Sequence, residues 1–148
     1  MSLEKDINQY KFRNDYQKAT LNIIFTSNWL QQQFKNLLEP ADITPQQYNI
    51  LRILRGQSPL STLQIRERML DKMSDTSRLV ERLIKKELLE KKSCKLDKRL
   101  VDVTITEKGL ALLAALDNNA RELDNVIANL TQEEALQLSF LLDKARSV

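Results

Sequence analysis

Histidine is absent from this sequence, and cysteine occurs once. The first absence removes the commonest metal ligand and the commonest general base. The second excludes an internal disulfide and suits a reducing cytoplasm. No glycine-rich phosphate loop and no metal-spaced cluster of side chains is present either, so neither an enzyme nor a metal or other cofactor is expected. Only two glycines and three prolines interrupt the 148 residues. Leu, Glu, Lys and Gln are plentiful, a mix that favours helices. The longest apolar run is LALLAAL, residues 110–116, well short of the roughly 20 residues that a membrane span requires. The N-terminal MSLEKDINQY carries no apolar signal region, and no membrane partner is expected. Aromatics are missing from residues 49–139: Tyr10, Phe12, Tyr16, Phe25, Trp29, Phe34 and Tyr48 precede that gap and Phe140 follows it. Single-stranded nucleic acids are gripped by aromatic stacking, so this distribution disfavours them and leaves the duplex.

The net charge of +3 is unevenly spread. Residues 50–100 hold 14 Lys and Arg against 7 Asp and Glu, a balance of +7. Residues 1–49 balance to 0 and residues 101–148 to −4. A basic middle between neutral and acidic ends suggests an anion-binding surface, although a solvated lysine-rich face gives the same count.

Local signals then divide the chain. Residues 5–38 lack Gly and Pro, and Leu30, Phe34, Leu37 and Leu38 form a helical stripe that Pro40 ends. Thr44-Pro45-Gln46-Gln47 reads as a capping box with proline at the first helical position. The helix it opens should carry Tyr48, Leu51 and Leu54 inward, with Gly56 as its C-terminal cap. Ser61-Thr62-Leu63-Gln64 is a second capping box, opening a short helix to about Leu70 with Leu63, Ile65 and Met69 as core candidates. Asp71 and Lys72 make a turn. Ser74 is placed to cap a third helix through about Lys86, with Leu79, Val80, Leu83 and Ile84 buried. Ser74, Ser77, Arg78, Glu81, Arg82 and Lys85 share its opposite face. Two strands follow, about 89–93 and 100–105. Thr106 should cap one long helix whose Leu113, Leu116, Ala120, Leu123, Ile127 and Leu130 form a coiled-coil-like seam. Thr131-Gln132-Glu133-Glu134 is a third capping box and starts the last helix.

Three short helices followed by a β-hairpin give the order of a winged helix-turn-helix. The expected fold is mainly α with a small β-hairpin. Its parts are an N-terminal dimerisation helix in residues 1–40, a DNA-binding region in 41–106, and C-terminal dimerisation helices in 107–148. The terminal helices carry more apolar stripe than one small core needs, which suggests a symmetric homodimer unless they fold back over the middle.

A B-DNA major groove is about 12 Å wide and admits one α-helix. A helix that reads it needs a short polar first turn, and Ser74, Thr76 and Ser77 supply hydroxyls there. Arg78 and Arg82, one turn apart, can reach guanine or the backbone, and Lys85 extends the row. Asp75 stabilises the helix N-terminus but repels phosphate. An ordinary amphipathic surface helix would look similar in isolation. The hairpin tip shifts the balance, because Lys95, Asp97, Lys98 and Arg99 cluster there. Such a tip can reach a flanking minor groove, whose negative potential over A·T tracts attracts arginine. Asp97 can orient Arg99 through charge-assisted hydrogen bonds, or serve as a plain turn former.

The pattern Asp97-x-Arg99-x-x-x-Val103-x-x-Thr106-x-x-Gly109 resembles the wing signature of MarR-type (multiple-antibiotic-resistance regulator) transcription factors. LSTLQIRERMLDKMSDTSRLVERLIKKELLEKK resembles their helix-turn-helix, so the likeness covers about residues 44–110. It implies a homodimer built from the terminal helices, binding of a pseudo-palindromic double-stranded site, and Arg99 in the minor groove. It also implies repression and, in many members, release by a small molecule or an oxidant. Glu87 departs from the pattern, since the family usually has glycine there, and a left-handed helix exit is less comfortable for it. The aromatic-rich N-terminal helix can line a site for a small apolar or aromatic effector, or simply pack. Cys94, among Lys91, Lys92 and Lys95, reads as a bystander thiol. The competing function is a winged-helix module that binds protein without DNA. Such a face should show apolar anchors, where this one shows Ser77, Arg78, Arg82 and Lys85.

Overall fold

The structure, a computed structural model, describes residues 1–93 and 101–148. Helix α1 (Leu3–Asp6) is short, and α2 (Asp15–Leu38) is long. A 3-10 turn (Glu39–Ala41) leads into α3 (Pro45–Gly56), strand β1 (Leu60–Ser61) and α4 (Thr62–Arg68). Then come α5 (Thr76–Lys85), β2 (Leu89–Ser93), β3 (Val101–Ile105), α6 (Glu107–Asp117), α7 (Ala120–Asn125) and α8 (Gln132–Arg146). The architecture is mostly helical with a small antiparallel sheet in the order β1-β3-β2.

The helices start where the local chemistry directs. Thr44, Ser61 and Thr131 each accept a hydrogen bond from the backbone N–H three residues on, and Gln47, Gln64 and Glu134 reach back to close three full capping boxes. Each box satisfies two backbone donors that a bare helix end would leave orphaned. Gly56, however, is the last helical residue rather than a left-handed cap; Gln57 follows in extended conformation, and no described glycine has positive φ.

The core lies in the middle of the chain. Ile50, Leu51 and Leu54 of α3 meet Ile65, Met69, Val80 and Leu83, with Leu60, Leu89 and Val103 from the sheet and Leu113 from α6. Leu63, an expected core residue, is 64% exposed. Ile65 faces the core, and Leu63, two residues earlier on α4, points to the opposite side. Strand β1 is an addition to the expected hairpin: Leu60 pairs with Val103 and Ser61 with Asp102, immediately before α4 begins. The long helix expected after Thr106 is broken. It stops at Asp117, resumes at Ala120 and ends at Asn125. Asn118 and Asn119 sit at the break, where short amide side chains compete with the helical backbone for hydrogen bonds. Of the anticipated seam, Leu113 is fully buried, and Ile127 is exposed.

The ends behave differently. Over its 24 residues α2 buries only Leu38, and α8 buries nothing. Ile23, Ile24, Leu136, Phe140 and Leu141 remain exposed on them. Between these helices and the start of α3 runs a cleft of about 1150 Å³, lined by Ile23, Leu30, Phe34, Met69, Leu138 and Leu142 among others.

Candidate nucleic-acid interface

The α4–α5 turn fixes the start of α5. Asp71 Oδ1 accepts from the Met73 N–H at 2.9 Å, and the Ser74 hydroxyl donates to the Asp71 carbonyl at 2.8 Å. Ser74 is thereby spent inside the turn. The cap is Asp75, whose Oδ1 accepts from Arg78 N at 3.2 Å. The cap thus lies one residue later than expected. Val80 and Leu83 anchor the inner face. Thr76, expected to offer its hydroxyl from the first turn, is only 4% exposed, and its Oγ1 is buried with no hydrogen-bond partner among the described residues. The outer face therefore consists of Ser77, Arg78, Glu81, Arg82 and Lys85, all exposed. The fold brings together on one face four of the expected contacts, Ser77, Arg78, Arg82 and Lys85, while Ser74 bonds within the turn and Thr76 is buried.

The wing strands hang from the same unit. Leu89 faces Ile105, Lys91 faces Val103, and Ser93 faces Val101 across the antiparallel pair. Glu81 on the outer face of α5 is paired with Lys91 of β2, tying helix to strand and neutralising the one carboxylate on that face. Lys95, Asp97, Lys98 and Arg99, and Cys94 beside them, lie outside the described residues, between the paired ends Ser93 and Val101.

A clasp joins α5 to the wing. Glu87 takes the left-handed conformation at φ 61°. Its N–H bonds to the Ile84 carbonyl at 2.9 Å, and Leu88 N–H bonds to the Leu83 carbonyl at 3.0 Å. This is the two-bond helix terminus that usually employs glycine. The Thr106 hydroxyl donates to the Glu87 carbonyl at 2.7 Å, and Thr106 N–H donates to the Leu88 carbonyl at 3.1 Å. The same hydroxyl accepts from Gly109 N at 3.1 Å, capping α6. Gly109 is packed so closely that a Cβ there would lie 2.5 Å from the Leu88 carbonyl oxygen and 2.7 Å from Ile105 Cγ1. The geometry thus calls for a hydroxyl at position 106 and for no side chain at position 109. Sequence reasoning had Glu87 as the odd residue of the exit but did not find the clasp, because Thr106 reaches a carbonyl 19 residues back.

Among the described residues no helix is long and apolar enough to cross a membrane, and no group of acidic or cysteine side chains is placed to hold a metal ion.

Comparison with known proteins agrees with this geometry. A model described as "MarR family" matches residues 41–100. The HTH-type transcriptional regulator MhqR of Bacillus subtilis (strain 168) is 31% identical over 105 residues, covering 69% of this chain and 71% of that protein. The HTH-type transcriptional repressor MdtR of the same organism is 27% identical over 116 residues, covering 78% and 75%. A crystal structure of mutant MarR from E. coli complexed with operator DNA superposes with a TM-score of 0.83 at 23% identity, covering 93% of this chain and 100% of that one.

Proposed function

The chain belongs to the MarR family, and from that membership we propose that it is a sequence-specific, double-stranded DNA-binding transcriptional regulator that acts as a repressor. The observation that carries this reading is the outer face of α5. Val80 and Leu83 clamp the helix from behind, while Ser77, Arg78, Arg82 and Lys85 stand in one exposed row. A helix so presented can lie in a major groove, where arginine to guanine discriminates by about 1–3 kcal/mol. Lys95, Asp97, Lys98 and Arg99 are assigned to the flanking minor groove on the strength of the sequence pattern and of the family.

The regulator works as a homodimer on a pseudo-palindromic site, with half-sites about 10 bp apart. Support comes from α2 and α8, whose exposed Ile24, Leu136, Phe140 and Leu141 form apolar surface of the kind that marks an association face. The 1150 Å³ cleft suits a small apolar effector. Phe34 is the one aromatic in its lining, and Leu70, Asp71 and Lys72 of the α4–α5 turn form its far wall. A molecule bound there would press on the turn that sets the start of α5. No face of α5 shows the apolar anchors that a protein-binding module needs.

The test is random-site selection on duplex DNA with the purified protein, followed by titration of the selected site against salt. A palindromic consensus and a steep log–log salt dependence are expected, about −0.9 per phosphate neutralised. No enriched site, or a flat salt response, would overturn the assignment. Within that assay Arg78→Ala or Arg82→Ala changes the preference among sites if the residue reads a base, and lowers affinity uniformly if it meets phosphate.

A further inference from the structure

The concave surface beside α5 is shared with a segment that no reading above has used. Where the end of α2, the 3-10 turn and the start of α3 meet the second half of α5, a niche of about 500 Å³ opens, lined by Lys35, Glu39, Asp42, Thr44, Gln47, Arg82, Lys85 and Lys86. One cation there is spent internally. Lys86 Nζ donates to the Asp42 carbonyl and stands 3.6 Å from the Asp42 carboxylate, so the two form a strut between α5 and the turn. Three cations remain, Lys35, Arg82 and Lys85, against the single carboxylate of Glu39. Among the described residues none of these four is in an ion pair.

Lys35 and Lys85 each occupy the last turn of a helix, where a cation is favoured by the helix dipole. That accounts for each residue by itself. It does not account for charges 50 positions apart converging on one concavity where cations outnumber carboxylates. Arg82 and Lys85 also belong to the outer face of α5, so the niche adjoins the reading surface. A helix seated in a major groove has a sugar-phosphate strand along each flank, and contacts to those strands fix the register of the reader. A guanidinium and two ammonium groups supply the forked and point donors that a phosphate takes.

We infer that this niche binds a phosphate group of the duplex backbone, and that Lys35 is a DNA-positioning residue on the dimerisation helix. The inference rests on the DNA-binding reading of α5 and extends the contact surface to α2. Inorganic phosphate offers the same chemistry, and the experiment separates the two sources.

Full-length protein is titrated with its selected duplex by fluorescence anisotropy across a salt series, as wild type and as Lys35→Gln, Glu39→Gln and Lys11→Gln. Lys35→Gln should weaken binding equally across site sequences and make the log–log salt slope shallower by about 0.9, the loss of one phosphate contact. Glu39→Gln removes the opposing carboxylate and should tighten binding. A merely structural role for Lys35 would not produce that opposite sign. Lys11→Gln, on the exposed segment before α2, should leave the slope unchanged. In parallel, inorganic phosphate is titrated into DNA-free protein at fixed ionic strength and followed by side-chain NMR. An unchanged slope in Lys35→Gln overturns the inference. If phosphate alone then saturates the niche, the site is one for free anions instead. Wild type that binds no duplex at all would defeat the functional reading first, and is recognisable before any variant is compared.

Discussion

Leu54 in α3 and Leu138 in α8 are the same side chain in two different situations. Leu54 is fully buried among Leu51, Leu83 and Leu113, while Leu138 is 42% exposed at the edge of an open cleft. The contrast runs through the molecule. The middle closes a core around α3, with the sheet, α5 and α6 each contributing a layer. The ends supply two helices of 24 and 15 residues that together bury one residue, Leu38. Burying a leucine is worth roughly 1.5–3 kcal/mol, so a chain that leaves such faces open forgoes stability that a second copy would restore. The middle encloses its own core, and on the dimeric reading proposed above the ends are completed by a second copy.

That contrast breaks or sharpens at defined substitutions. The largest effect belongs to Leu54→Ala, which should cost about 2–5 kcal/mol in urea unfolding through the cavity it leaves. Leu138→Ala should instead act on self-association, raising the dimer dissociation constant in sedimentation equilibrium with little change in the unfolding of dilute protein. Equal losses of monomer stability would erase the distinction between middle and ends. Gly109→Ala comes next. Its Cβ meets a backbone oxygen that cannot swing aside, and overpacking of that kind costs about 1–3 kcal/mol. Normal stability would show that the clasp gives way more easily than its geometry implies. Thr76→Val keeps the shape and removes a buried hydroxyl that has no partner. A gain of about 1 kcal/mol in the thermal or urea midpoint is expected, and a loss would show that the hydroxyl has found a partner in solution. The smallest effect is Glu87→Gly. It relieves a left-handed residue worth about 1–2 kcal/mol, but frees the unfolded chain by about 0.5–1 kcal/mol. The net stabilisation should be a few tenths to one kcal/mol.

The sequence made the middle largely legible because its signals are local. Each capping box lies within four residues, so Thr44, Ser61 and Thr131 could be placed without knowledge of the fold, and all three boxes formed. Failures occurred where a distant partner or a one-residue phase decides. Strand β1 is two residues long and exists because Leu60 finds Val103, 43 positions later. Thr76 stands four residues before Val80, on the inner face of α5, and was read by its hydroxyl rather than by its phase. A heptad count is blind to a break of two residues, so Asn118 and Asn119 interrupted a seam that looked continuous. For the outer face of α5, charge and spacing picked out Ser77, Arg78, Arg82 and Lys85, which the structure leaves exposed together. Lys35, proposed above as a positioning residue, belongs to another helix, and only folding sets it on the same niche as Arg82.

The bond from the Thr106 hydroxyl to the Glu87 carbonyl joins the first residue after the wing's returning strand to the second residue beyond α5. With the Leu88 bond beside it, helix and sheet turn as one lever whose fulcrum is Gly109. Whatever tilts α6 at its N-terminus swings the reader and the wing through the same arc. On the DNA-binding reading proposed above, the end of α5 and the end of β3 would then leave the duplex together.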